Sequence, residues 1–119
     1  MLREMLRAKI HRARVTDKAL DYSGSVTIDP DLLEKAAIAP FEKVLVANLA
    51  TGSRAETYAI EGRRGSGEVC LNGAAARLAE VGDFVIIMAF ALADDREIEK
   101  GWKPTVVVVD ENNRPKKGR

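Results

Sequence analysis

Apolar and polar residues alternate almost from the start of this chain. Leu6, Ala8 and Ile10 interleave with Arg7, Lys9 and His11, the two-residue period of a half-buried strand, with a short N-terminal helix as the competing reading. Val26 and Ile28 predict a second strand, which runs into Asp29-Pro30-Asp31. There an N-cap acid, a helix-opening proline and a first-turn acid predict a helix reaching Ala37. Val44 to Leu49 has the pattern of a buried strand. Thr51-Gly52 turns the chain into Arg54 to Ile60, where Arg54, Glu56 and Tyr58 share one face and Ala55, Thr57 and Ala59 the other. Glu61 to Gly67 holds three glycines and reads as a loop, and Glu68 to Leu71 as a short strand. Asn72-Gly73 is a tight turn into an alanine-rich half-helix, Ala74 to Leu78. Gly82-Asp83 turns into the apolar strand Phe84 to Leu92, and Thr105 to Val109 is a last β-branched strand. Asn112 to Arg119 is polar and basic and is expected to form a flexible, fraying tail. Many short strands with glycine turns predict a mainly β domain, a small barrel or sandwich.

Composition narrows the class of protein. A chain of 119 residues, 46% hydrophobic and 31% charged, predicts one soluble globular domain that gains from oligomerising. A formal charge of +1 argues against a nucleic-acid partner. The longest apolar run, Phe84 to Ala93, is too short to span a bilayer, and Met1-Leu2-Arg3-Glu4 does not open a signal peptide. Cys70 is the only cysteine, so no intramolecular disulfide forms and the cytoplasm is expected. Between Val69 and Leu71, Cys70 reads as a packing thiol rather than a nucleophile. His11 is the only histidine, which excludes a histidine-based metal cluster. Gly62 to Gly67 has the composition of a phosphate loop but neither its glycine spacing nor its lysine. Arg114, Lys116, Lys117 and Arg119 read as a solvated tail, with no aromatic residues between the charges.

One dipeptide carries chemistry. In Gly24-Ser25 the serine hydroxyl can attack the preceding carbonyl and convert the amide to an ester. Elimination then leaves dehydroalanine, which hydrolyses to a pyruvoyl group on a new N-terminus. Glycine leaves that carbonyl open and can hold a strained backbone. Alone, Gly-Ser is an ordinary turn before a strand.

Several segments together resemble the bacterial aspartate 1-decarboxylases, pyruvoyl enzymes that make β-alanine for pantothenate and coenzyme A. They are Met5 to Thr16; Tyr22-Ser23-Gly24-Ser25 with Ile28-Asp29; Asn48 to Ile60; Arg64-Gly65-Ser66-Gly67 through Leu71-Asn72-Gly73-Ala74-Ala75-Ala76-Arg77 to Val81-Gly82-Asp83; and Trp102-Lys103-Pro104. The match runs in order over residues 1 to 110. It implies a six-stranded double-psi β-barrel with short helices, and Val81-Gly82-Asp83-Phe84-Val85 looks like that fold's Gly-Asp turn. It implies self-cleavage into 1–24 and 25–119, a homotetramer with sites between subunits, L-aspartate as substrate, and no metal or pyridoxal phosphate. The residues name no accessory maturation protein.

By the same resemblance Ser25 becomes the pyruvoyl group and Tyr58 is the proton donor. Thr57 acts in processing and substrate contact, and the backbone at Gly73, Ala74 and Ala75 lines the site. Lys9 and Arg54 match charged site positions, and Tyr22, His11 and Asn72 site-adjacent ones. Position 23 is Ser where many members carry a larger polar or acidic residue. The chemistry suits these types. Decarboxylation needs an electron sink, which the ketone supplies. Arg54 has the planar fork for the side-chain carboxylate that is retained, and Tyr58 can deliver a proton to the α-carbon. Read without the resemblance, Lys9 and Arg54 are solvated strand-face cations, Tyr58 an amphipathic-strand tyrosine, Thr57 a β-former and Asn72-Gly73 a hairpin turn. A DNA-binding β-barrel and a pyruvoyl decarboxylase of another amino acid are the rival functions.

Overall fold

The computed structural model describes residues 1–116. Its strands are β1 (Leu2–Arg14), β2 (Asp17–Ala19), β3 (Ser25–Ile28), β4 (Lys43–Asn48), β5 (Arg54–Glu61), β6 (Val69–Asn72), β7 (Phe84–Asp94) and β8 (Thr105–Val108). They are hydrogen-bonded in the order β2-β6-β3-β5-β4-β7-β1-β8. The mainly β class with short helices is as the alternation predicts, and the described residues form eight hydrogen-bonded strands. Most neighbours are antiparallel. The pairs β1 with β8, β2 with β6 and β3 with β5 are parallel, and parallel neighbours require crossover connections.

The N-terminal alternation belongs to a strand, not a helix. β1 is bulged after Leu6 and again between Ile10 and Ala13, where Arg12 takes a φ of 62°. Beside the first bulge the Trp102 indole donates to the Leu6 carbonyl at 2.7 Å, which fixes the Trp102-Lys103-Pro104 segment. The helix α1 (Pro30–Ala36) has the caps its sequence predicts: Asp29 accepts from the Asp31 N–H, and Pro30 opens the first turn. The alanine-rich half-helix is a 3-10 helix, Gly73–Leu78. The short helix α2 (Asp95–Glu99) is held by a reciprocal capping box between Asp94 and Glu97.

Alternate residues of the strands form the core. Ile10, Val26, Ile28, Val44, Val69, Leu71, Val85 and Ile87, with Leu32 and Leu33 of α1, are among its largest buried aliphatic side chains. Residues 112–116 correct one expectation. Asn113 is buried, accepts from the Arg14 N–H, and donates to the Arg14 and Gly67 carbonyls, each at 2.8 Å. Val109 pairs with Pro115 in an antiparallel bridge. Side-chain pairing to the backbone thus overrides the polar composition that predicts fraying. The rest of the predicted tail, 117–119, lies outside the described residues.

Candidate active site

The site is built on the antiparallel ladder of β3 and β6, where Ser25 lies opposite Asn72 and Thr27 opposite Cys70. Residues two apart on a strand share a face, so all four side chains meet on one side of the ladder. Ser25 is 0% exposed. Asn72 Nδ2 donates to Ser25 Oγ and to Thr27 Oγ1, each at 2.8 Å. Asn72 Oδ1 accepts from Cys70 Sγ at 3.3 Å. Burial, followed by the nearby charges of Asp17 and Glu68, pushes the Cys70 thiol up to about 11. The thiol therefore stays protonated at neutral pH and is no nucleophile.

The bond ahead of Ser25 is packed on one side only. Gly73 has a φ of 67°, and a side-chain carbon there would lie 2.5 Å from the Gly24 nitrogen and 2.7 Å from the Tyr22 carbonyl oxygen. Position 73 thus lets two backbone segments touch. Gly24 is different: it lies outside the left-handed region, and a side-chain carbon on it would meet nothing within 4 Å. The left-handed backbone is therefore at Gly73, which faces Gly24, and not at Gly24 itself. Of the other half-helix positions, Ala75 is buried and Ala74 exposed.

Strand β5 brings in the next group. It pairs parallel with β3, with Val26 opposite Ala59. Extending that register backwards sets Tyr58 level with Ser25 and Thr57 level with Gly24. The Tyr58 hydroxyl lies 3.5 Å from the Ser23 carbonyl. Its ring packs 6.4 Å from that of Phe41, at an interplanar angle of 30°. Phe41 is 76% exposed and has a φ of 72°, an unusual state for a bulky side chain. Nothing in local sequence patterning singles out Phe41, Thr27 or the hydrogen-bonding use of Cys70. Thr57 is half-buried on the opposite face of β5, and Tyr22 is exposed.

Arg54 opens β5 on the Tyr58 face and is exposed. Lys9 and His11 are on β1, and β4 and β7 lie between β1 and β5 in the strand order. The registers Glu56↔Leu45, Leu45↔Met88 and Met88↔Lys9 nevertheless form one continuous row across these four strands. Lys9 therefore shares the outer sheet face with Arg54 and Tyr58, but three strand spacings away, about 14 Å. A groove of about 270 Å³ on this face is lined by residues including Glu4, Lys43, Glu56 and Phe90. It does not include Ser25, and its two carboxylates disfavour a dianionic ligand. Beside Lys9, His11 has a buried Nδ1 without a hydrogen-bond partner among the described residues. Burial, then Lys9 and Arg12, hold its pKa below the usual imidazole value. Among the described residues, no group of three or more His, Cys, Asp or Glu side chains could hold a metal ion.

A supporting hub lies just beyond β3. Asp29 is buried at the helix N-cap, and its carboxylate accepts from the N–H groups of Asp31 at 2.9 Å, Gly65 at 3.1 Å and Gly67 at 2.8 Å. Burial raises its pKa, but those three backbone donors and Arg114 outweigh it, and the net shift is downward. The glycine loop is an anchored connector, with Arg64 paired to Asp31 at 2.7 Å and to Glu34 at 2.6 Å.

A buried serine, held by an amide and preceded by a glycine bond that abuts a second glycine, defines a site centred on the chain's own backbone. The chain belongs to the aspartate decarboxylase family, whose model matches residues 1–116. It is 58% identical over 115 residues to an aspartate 1-decarboxylase of Thermoanaerobacter pseudethanolicus, covering 97% of each chain. It is 54% identical over all 119 residues to the aspartate 1-decarboxylases of Burkholderia pseudomallei and Paraburkholderia xenovorans, covering 93% of each of those proteins.

Proposed function

We propose that this chain is a pyruvoyl-dependent aspartate 1-decarboxylase, a carboxy-lyase that converts L-aspartate to β-alanine and CO2 for pantothenate synthesis. It becomes active by cleaving itself between Gly24 and Ser25. The observation that carries the reading is Ser25 itself: fully buried, with Oγ on the Asn72 amide, in a chain of this family. The residues fit the group that Ser25 would become. A side-chain carbon on Gly24 would meet nothing within 4 Å, so the residue ahead of the cleaved bond is uncrowded on that side, and among the described residues no charged side chain hydrogen-bonds to Ser25. Once formed, the pyruvoyl ketone supplies the electron sink for loss of CO2.

The chain's own residues do the rest. Thr57, level with Gly24, is assigned to support the oxyanion that forms as Ser25 attacks. Arg54 pairs bidentately with the substrate carboxylate that is retained. Pairing the departing carboxylate equally strongly would stabilise the ground state more than the transition state. Tyr58, level with Ser25, delivers the proton to the α-carbon after CO2 leaves. The backbone of Gly73, Ala74 and Ala75 lines the substrate space, with Tyr22 beside it.

Lys9 and His11 share the outer sheet face with Arg54 but not its neighbourhood, which supports a homotetramer whose sites lie between subunits. That face also exposes Leu92, Leu2, Val106 and Phe90, a band of apolar side chains of the kind that marks an interface. A lone buried thiol suits the cytoplasm. The test is intact mass under denaturing conditions. The parent chain is expected as fragments 1–24 and 25–119, the larger without a free amine, and Ser25→Ala as a single chain. A Ser25→Ala protein that still splits at this bond would overturn the reading.

A further inference from the structure

The Asn72 amide is 2% exposed and both hydrogens of its Nδ2 are taken, one by Ser25 and one by Thr27, while its oxygen takes the Cys70 thiol. An amide has nearly the same shape either way round, so packing does not choose its orientation, and its partners do. We infer that Cys70 and Thr27 are positioning residues for self-cleavage: Cys70 selects the orientation that puts the Asn72 NH2 group, rather than its oxygen, on Ser25, and Thr27 holds the second hydrogen of that group in place. The inference rests on the self-cleavage reading above.

Cys70 is the asymmetric member of the group. A hydroxyl can donate or accept, but a protonated thiol is a donor whose sulfur accepts weakly. Turned over, the amide would set its NH2 against that sulfur and its oxygen against Ser25. The orientation matters to the bond changes. In the first step the bond from Ser25 Oγ to the Gly24 carbonyl carbon forms and the C–N bond breaks, and the hydroxyl proton ends on the Ser25 nitrogen. In the second, the Ser25 Cα–H proton passes to solvent, a Cα=Cβ bond forms and Cβ–Oγ breaks. The electron pair of Cβ–Oγ stays on Oγ, now an oxygen of the Gly24 carboxylate. Water then displaces the nitrogen as ammonia and leaves the ketone. Negative charge grows on Oγ in the second step, and an N–H aimed there supports it where a carbonyl oxygen would oppose it.

The experiment follows the uncleaved fraction by intact mass against time after purification. Cys70→Ser keeps a donor and Cys70→Ala removes it, and both leave nearly the same space. Cys70→Ala is expected to slow cleavage by about tenfold, and Cys70→Ser, whose hydroxyl can donate to the amide oxygen but can also accept from a turned-over NH2 group, to slow it measurably less. Thr27→Val is expected to slow cleavage likewise, and Thr27→Ser to restore it. Melting temperatures are compared in a Ser25→Ala background, where no cleavage intervenes. If Cys70→Ala fails to fold there, the Thr27 pair carries the test. Cys70→Ala cleaving at the parent rate would overturn the inference and leave the self-cleavage reading standing. So would Cys70→Ser and Cys70→Ala slowing equally with unchanged melting, because Cys70 would then act through packing alone. A parent chain that never cleaves would sink both.

Discussion

At Gly73 the backbone lies at a φ of 67° with the Gly24 nitrogen and Tyr22 carbonyl oxygen where a side chain would begin. Gly73→Ala is therefore opposed twice, by conformation and by contact with backbone that cannot rotate away. The left-handed conformation alone costs about 1–2 kcal/mol for a residue with a side chain. Gly24→Ala meets open space and an ordinary φ, and should cost less than about 1 kcal/mol. Denaturant unfolding of both changes in a Ser25→Ala background, where the chain stays whole, is expected to show a large loss for Gly73→Ala and a small one for Gly24→Ala. Equal losses would mean that the close approach of these two glycines is not a tight constraint.

At the scale of elements, Asp29 joins β3, α1 and the glycine loop through one carboxylate. Its pKa is lowered in the folded chain, so its contribution is complete above the ordinary value of 3.8 and is lost as pH falls through the folded value. Asp29→Asn is expected to cost about 2 kcal/mol at neutral pH. Its deficit against the parent should shrink progressively below about pH 4. Thermal melts across that range check the sign, and a deficit independent of pH would contradict it. The caps of α1 were legible because proline and aspartate act locally. β2 was not: Asp17-Lys18-Ala19 has no apolar alternation, and its strand geometry comes from pairing with β6. The box that starts α2 had its signal in Asp94 and Glu97, hidden at the end of a long apolar strand. The shared face of Arg54 and Tyr58 followed from alternation along one strand. The separation of Lys9 from them depends on strand order, and the grouping of Thr27 and Cys70 around Asn72 depends on register. Neither is written in any single segment.

For the whole molecule, the placement of β1 matters most. Although it is the first strand in sequence, β1 is an inner one, bonded to β7 along most of its length and to β8 from Ala8 to His11. Its Ala8, Ile10 and Ala13 are completely buried. Cutting the chain after Gly24 would thus detach two strands in covalent terms, the inner strand β1 and the edge strand β2 at the other end of the strand order, while leaving their hydrogen bonds in place. The uncut chain folds as one molecule, but the cut one would have to reassemble from two. Ser25→Ala is expected to regain its fold after denaturation and dilution at a rate independent of protein concentration. Fully cleaved protein should recover slowly, in proportion to concentration, or not at all. Stopped dilution followed by circular dichroism distinguishes the two, and equal recovery would contradict the picture. The mature form would then hold together by the slowness of its unfolding, with residues 1–24 serving once as part of the chain that folds and afterwards as a captive peptide.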